Sequence, residues 1–290
     1  MYDGLGKGEA NELVFKFRIY SDGNKIDGIE VLTQISPVSF TPRYFEKSKG
    51  GPEDATWSGR HTRQSSLVTS GTTSSIRSLF LDGPAGRLEA LLNAGAENAS
   101  HAALVCHPHP LFGGTLHNKV VFHTMKALNS FGFPVLRFNF RGTGLSQGEH
   151  HHGIGEIEDV RIALEWLDVE YHLPLIFAGF SFGAAVGLHP ACADARVRAV
   201  IGVGTPLVPV AADTEEPRVY RFDFLRDCAK PKLFVSGARD PFGPRAKLEA
   251  LVASVPEPKK LVIIEGADHF FEGRLRELRE AIETWVKEAV

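Results

Sequence analysis

Six short apolar runs, separated by helical stripes, constrain this chain more than anything else in it. Ala102 to Cys106, Pro134 to Phe138, Leu175 to Ala178, Val197 to Val203, Lys232 to Val235 and Leu261 to Ile264 are apolar at nearly every position. A strand with one wet face alternates and a strand covered on both faces does not, so these runs predict a parallel sheet buried between two layers. Between them Val121, Met125 and Leu128, then Ile157, Val160, Leu164 and Leu167, recur every three or four residues, as do Leu248, Leu251 and Val255 and, last, Leu275, Leu278, Ile282 and Trp285. That spacing is one face of a helix, and these residues are read as core. Strands joined by helical crossovers give an α/β fold with an open, mostly parallel, doubly wound sheet. Ile76 to Leu81 and Arg87 to Leu92, on either side of Asp82-Gly83-Pro84-Ala85-Gly86, add a hairpin.

The first 75 residues do not follow this pattern. Leu13 to Ile19 and Ile26 to Leu32 alternate loosely around Ser21-Asp22-Gly23-Asn24, the form of a hairpin, but two strands alone are marginal in water. From Pro37 the composition turns to Ser, Thr, Gly, Pro and charge without any period. The expected organisation is residues 1–75 as a disordered or loosely packed extension and residues 76–290 as the α/β domain. The rival reading takes the extension as an over-extended start with no selected fold.

Bulk properties exclude several partners. The chain has 290 residues, 43% of them hydrophobic and 23% charged, enough for a sizeable core. A net charge of -3 supplies no footprint for nucleic acid and no polybasic membrane patch. No run reaches the length of a membrane span, and Met1 to Ala10 has no apolar core of a signal peptide. Cys106, Cys192 and Cys228 form neither a disulfide framework nor a C-x-x-C pair. The expectation is an unexported, cytoplasmic protein with no nucleic-acid or membrane partner and no cofactor; its oligomeric state is open.

Chemistry enters at the carboxyl ends of the strands, where sheets of this kind gather their reactive groups. Gly179-Phe180-Ser181-Phe182-Gly183 follows a strand and precedes the small-residue run to Gly187. A strand that turns sharply into a helix around one serine needs almost no side chain two residues on either side, and glycine stands at both places. A serine hydroxyl needs a base within hydrogen-bond reach, and the base needs an acid to orient it. Asp240 lies after the strand at Lys232 and His269 after the strand at Leu261, so Ser181, Asp240 and His269 come in the order nucleophile, acid, base. Asp268 is the rival acid, ranked lower because its neighbour is the base itself. An oxyanion would be met by the N–H of Phe182 and by one from the loop His107-Pro108-His109-Pro110-Leu111-Phe112-Gly113-Gly114. Pro108 and Pro110 have no N–H, which leaves Leu111 first and Phe112 second. No carboxylate or thiolate accompanies His107 and His109 at metal-ligand spacing, and no metal is expected. His150-His151-His152 are read as a solvated loop. The glycines at 142, 144 and 148 miss the dinucleotide spacing, and Arg141 is read as an anchor that pairs with backbone carbonyls or an acid.

Residues from about 76 to 290 thus resemble the alpha/beta-hydrolase superfamily, in particular its small bacterial hydrolases with an H-P-H-P-x-x-G-G loop (His107 to Gly114), an R-G-x-G-x-S loop (Arg141 to Ser146) and a G-F-S-F-G elbow (Gly179 to Gly183). The resemblance implies an eight-stranded-type sheet, Ser181, Asp240 and His269 as a triad, and Leu111 and Phe182 at the oxyanion. Serine at the elbow disfavours the aspartate and cysteine chemistries of this superfamily. The lid position, Gly204 to Lys230, is short, with a small helix expected from Tyr220 to Cys228. Phe112, Phe180, Phe182, Phe242 and Phe270 are candidates to line an apolar pocket. The function expected is a serine hydrolase acting on a small-molecule ester or acyl substrate. A peptidase using Glu215 and Glu216 as a clamp, or a thioesterase, is the related alternative, and a non-catalytic binding protein on the same scaffold is the alternative of another class.

Overall fold

The computed structural model describes residues 75–208 and 220–290 in full and, elsewhere, only the backbone of five strands. Three of these form a separate sheet: β1 (Gly6–Lys7), β2 (Glu12–Ser21) and β3 (Asn24–Thr33), in the order β1-β2-β3. β2 and β3 pair antiparallel with Ser21 opposite Asn24, which is the hairpin read from the alternation. The polar segment from Pro37 lies outside the described residues.

The α/β unit carries β4 (Ile76–Gly83), β5 (Gly86–Asn93), β6 (Ala102–Cys106), β7 (Val135–Phe138), β8 (Leu175–Phe180) and β9 (Val197–Val203). After a small hairpin of β10 (Val210–Ala212) and β11 (Glu215–Arg218) come β12 (Lys232–Gly237) and β13 (Lys259–Ile264). Eight strands form one sheet in the order β13-β12-β9-β8-β6-β7-β5-β4. Only β5 runs against its neighbours, pairing antiparallel with both β4 and β7; the remaining pairs are parallel.

Five helices complete the unit: α1 (Lys119–Asn129), α2 (Gly155–Tyr171), α3 (Phe182–Ala193), α4 (Arg245–Ser254) and α5 (Leu275–Ala289). Their apolar stripes divide between two cores. Val160, Leu164 and Leu167 of α2 and Ala184 and Leu188 of α3 pack on one face, and Val121, Met125 and Leu128 of α1 with Leu278, Ile282 and Trp285 of α5 pack on the other. Each central strand feeds both, since successive side chains point to opposite faces. In β8, Leu175 and Phe177 enter the first core while Ile176, Ala178 and Phe180 enter the second. This double burial is why the strands read as unbroken apolar runs; each large side chain so buried stabilises the fold by about 1.5–3 kcal/mol.

The sheet places its parallel strands so that β8 ends centrally, with β9, β12 and β13 beyond it on one side. The loops after β8, β12 and β13 therefore meet at one rim. Between β9 and β12 the described chain has the β10-β11 hairpin and a short 3-10 helix at Asp223–Asp227, so the small helix expected from Tyr220 to Cys228 is tighter and shorter than an α-helix. Among the described residues no helix is long and apolar enough to cross a membrane.

Candidate active site

Ser181 sits between the end of β8 and the first turn of α3 with φ 55 and ψ -115, a left-handed backbone that a non-glycine residue adopts at a cost of about 1–3 kcal/mol. The two flanking glycines make the turn passable. A Cβ on Gly183 would lie 2.6 Å from the carbonyl oxygen of Cys106, and one on Gly179 would lie 2.5 Å from the backbone of Gly183. Strand β6, the turn and the helix close on one another there, and no side chain fits.

His269 follows β13 and Asp240 follows β12. The Nε2 of His269 lies 3.0 Å from Ser181 Oγ, and its Nδ1 lies 2.8 Å from Asp240 Oδ2. The carboxylate can only accept, so Nδ1 carries the ring hydrogen and Nε2 presents its lone pair to the serine hydroxyl. Asp240 is itself fixed: Oδ1 accepts from the N–H groups of Phe242 at 2.8 Å and Gly243 at 3.2 Å, and Oδ2 accepts the hydroxyl of Ser236 at 3.2 Å. The imidazole is packed by Phe180, Phe242 and Phe270, with ring centroids 5.0, 4.7 and 5.2 Å away. Asp240 and His269 are buried and Ser181 is half-buried.

The rival acid goes elsewhere. Asp268 Oδ1 accepts from the N–H groups of Phe270 and Glu272, both at 3.0 Å, and the Glu272 bond holds its carboxyl below the usual carboxylate range. It caps its own loop.

Over the serine hydroxyl lies a cavity of about 240 Å³ whose walls include His109, Phe112, Phe182, Tyr220, Phe242 and Phe270. Four of the five phenylalanines expected there line it. Phe180 does not; it lies beneath, buried against the His269 ring.

The matched family model is that of an alpha/beta hydrolase domain, and it spans residues 105–289. The chain belongs to the alpha/beta hydrolase family. An uncharacterized protein of Rickettsia prowazekii (strain Madrid E) is 32% identical over 218 residues, which are 72% of this chain and 87% of that one. Among solved structures, an alpha-beta serine hydrolase homologue from Coxiella burnetii is 35% identical with a TM-score of 0.63, covering 76% of this chain and 99% of that one. A protein of Xanthomonas campestris, described as an α/β serine hydrolase without lid, is 32% identical with a TM-score of 0.64, covering 75% and 95%.

In the hydrolase, the candidate donor amides of the loop His107 to Gly114 have local partners. The Leu111 N–H donates to His109 Nδ1 at 3.3 Å, the Phe112 N–H donates to the His109 carbonyl at 3.1 Å, and the Leu111 residue is 61% exposed, outside the walls of the cavity. The amide of Leu111, the donor expected first, and that of Phe112, the second choice, thus lie in the short 3-10 helix at Pro110–Phe112, for which the His109 side chain is the cap. The reason is local: a histidine two residues before Leu111 offers a ring acceptor that the amide reaches without leaving its turn. The Phe182 amide lies in the first turn of α3, where N–H groups have no intrahelical acceptor.

The neighbouring residues support the loops. His107 is fully buried; its Nδ1 donates to the Pro108 carbonyl at 2.7 Å and its Nε2 accepts the Phe140 N–H at 3.0 Å. Burial lowers its pKa to about 3, so it is a neutral strut between two loops. Arg141 pairs with an acid, Asp159 of α2, at 2.6 Å with further bonds at 3.0 and 3.1 Å. Ser146 donates its hydroxyl to the Asn139 carbonyl at 2.6 Å and accepts the Glu89 N–H at 2.9 Å. His150 is not solvated: its Nδ1 lies 2.9 Å from the buried Glu156 carboxylate, and only His151 of that triplet is exposed. Glu156 also accepts the N–H groups of His151 and Gly153 at 2.7 Å. Among the described residues no group of three or more His, Cys, Asp or Glu side chains is arranged to hold a metal ion. Asp159 and Glu156 went unread in the sequence because acids in the first turns of a helix are ordinarily solvated; only the rarity of a buried partner for Arg141 could have pointed to them.

Proposed function

We propose that this protein is a serine hydrolase that cleaves carboxylic esters through a covalent acyl-enzyme. Ser181 Oγ attacks the carbonyl carbon while His269 Nε2 takes its proton. The tetrahedral intermediate expels the alcohol, which leaves with the proton returned by His269, and water repeats the sequence to release the acid. Asp240 keeps the imidazole in the tautomer required and balances its charge when protonated. The developing oxyanion is met by the Phe182 N–H at the positive end of α3, and a donor of this kind contributes about 3 kcal/mol to the transition state.

The observation that carries the reading is the unbroken chain from Ser181 through His269 to Asp240, at 3.0 and 2.8 Å. The serine hydrolase homologue of Coxiella burnetii and the α/β serine hydrolase of Xanthomonas campestris, each over 30% identical, support it. Esters are proposed because Phe112, Phe182, Phe242 and Phe270 give the cavity walls that suit an apolar acyl or leaving group. Glu215 and Glu216, the clamp an aminopeptidase would use, have side chains outside the described residues. A small-molecule substrate and a cytoplasmic setting belong to the same proposal.

The test is turnover of a short-chain aryl ester, alongside a thioester and an aminoacyl arylamide. The ester is expected to be hydrolysed fastest, and Ser181→Ala to lower its turnover at least about a thousandfold. Unchanged turnover in that variant refutes the assignment.

A further inference from the structure

A second concavity adjoins the reacting one. It is an open groove of about 430 Å³ between the start of α2, the first turns of α3 and the 3-10 helix at Asp223–Asp227. Ile157, Ala185 and Val186 are among its apolar walls, with Ile154 and Phe224 beside them. Ile154 is 64% exposed, and a single exposed isoleucine is unremarkable in itself. Here it continues an apolar lining that reaches toward the nucleophile. The Ala185 N–H donates to the Ser181 carbonyl at 3.0 Å, so the groove starts one helical turn from the reacting serine. Tyr220 belongs to the walls of both spaces, and its ring stands 6.4 Å from that of Phe182. Arg221 and Asp223, the oppositely charged side chains of the groove, pair with each other at 3.1 Å.

The cavity over Ser181, at about 240 Å³, is below the roughly 300–1,000 Å³ of most small-molecule sites and accommodates little beyond the reacting group. Resting on the serine-hydrolase reading, we propose that the groove past Tyr220 binds the distal hydrocarbon of the substrate, which is an ester with a linear or lightly branched apolar chain on one side. Arg221 already has Asp223 as its partner, the other basic side chains of the walls are His152 and His189, and the isoleucines, Val186 and Phe224 offer an alkyl chain a surface to leave water for. Tyr220, standing between the two spaces, sets the length at which a chain begins to gain.

Two ester series test this with the full-length protein: 4-nitrophenyl alkanoates of rising acyl length, and alkyl acetates of rising alcohol length. In one series kcat/KM should rise once the chain passes Tyr220, by up to about fourfold for each further methylene. Ile154→Asp, at an exposed position, sets a carboxylate on the groove, and Ala185→Phe fills it; each should lower the ratio of longest to shortest ester at least tenfold. That ratio is internal to each variant, so differences in folded fraction cancel. Labelling by a small fluorophosphonate reports separately on Ser181. If the wild-type protein labels and hydrolyses acetates but neither series rises, or the rise survives both substitutions, the groove proposal is overturned while the serine-hydrolase reading stands. Absence of both labelling and turnover in the wild-type protein overturns the two together.

Discussion

Ser181 holds a left-handed backbone because everything around it is built to that shape, and the consequence is testable one residue away. Gly183→Ala puts a methyl 2.6 Å from the Cys106 carbonyl, a distance that real Cβ atoms do not tolerate. The backbone must shift at the nucleophile, so ester turnover is expected to fall at least about a hundredfold, on the scale of a 1 Å misplacement of reacting groups. A variant with full turnover would mean that the turn is not the constraint described. Asp240→Asn preserves the shape of the side chain but allows the amide to donate to Nδ1 and reverse the imidazole tautomer. kcat should drop about 10³- to 10⁴-fold with little change in thermal unfolding. A drop of less than tenfold would assign the acid's role elsewhere. That Ser181, Asp240 and His269 come within hydrogen-bond distance was legible in the sequence because each lies in the turn or loop after an apolar run, and strand ends converge. The partner of the Leu111 amide was not legible that way: the direction of a backbone amide depends on which side chain caps it, and His109 is that cap.

At the scale of elements, the loops at this rim are held by polar side chains in dry surroundings. Arg141 and Asp159 are bound by several hydrogen bonds, and the Asp159 side chain is 0% exposed. Asp159→Asn leaves the guanidinium without its counter-charge and should destabilise the domain by about 3–5 kcal/mol. For a domain of this size the melting temperature should fall by roughly 6–20 °C, measured by calorimetry. A shift under 2 °C would show the pair to be dispensable. His107 gives a pH signature. With a folded pKa of about 3, far below its ordinary value of 6.5, it takes up its proton far more readily in the unfolded chain. The unfolded state therefore binds more protons below pH 6.5, and the contribution of neutral His107 to stability, full above that pH, is lost as pH falls toward 3. His107→Gln, which does not titrate, should flatten denaturant-measured stability against pH over that window. An unchanged slope would contradict the buried neutral strut. The central parallel strands and the helices of this unit were legible because burial on two faces leaves a continuous apolar run and burial on one leaves a stripe, whereas the β4–β5 hairpin, with β4 mostly exposed, was read from its turn. The struts were not, because His107, Glu156 and Asp159 are types that usually face water, and only tertiary contacts reveal that here they do not.

On the scale of the whole molecule, contacts divide the chain after Thr69 into a small unit and one that runs from Ser70 to Val290. The second unit contains both apolar cores and all of the chain of Ser181, His269 and Asp240. A protein that begins at Ser75 is therefore expected to fold cooperatively and hydrolyse short esters with kcat/KM within about threefold of the full chain. Loss of folding on truncation would show that the first unit is required. The central claim, however, is covalent: an alcohol on one side chain becomes acylated during turnover. Acid quenching of the protein during hydrolysis of an activated ester, followed by mass spectrometry of its peptides, reads this directly. The acyl mass should appear on the peptide that contains Ser181 and be absent from Ser181→Ala. Turnover with no acylated peptide, or with the acyl group on another residue that Ser181→Ala leaves unaffected, would contradict the account.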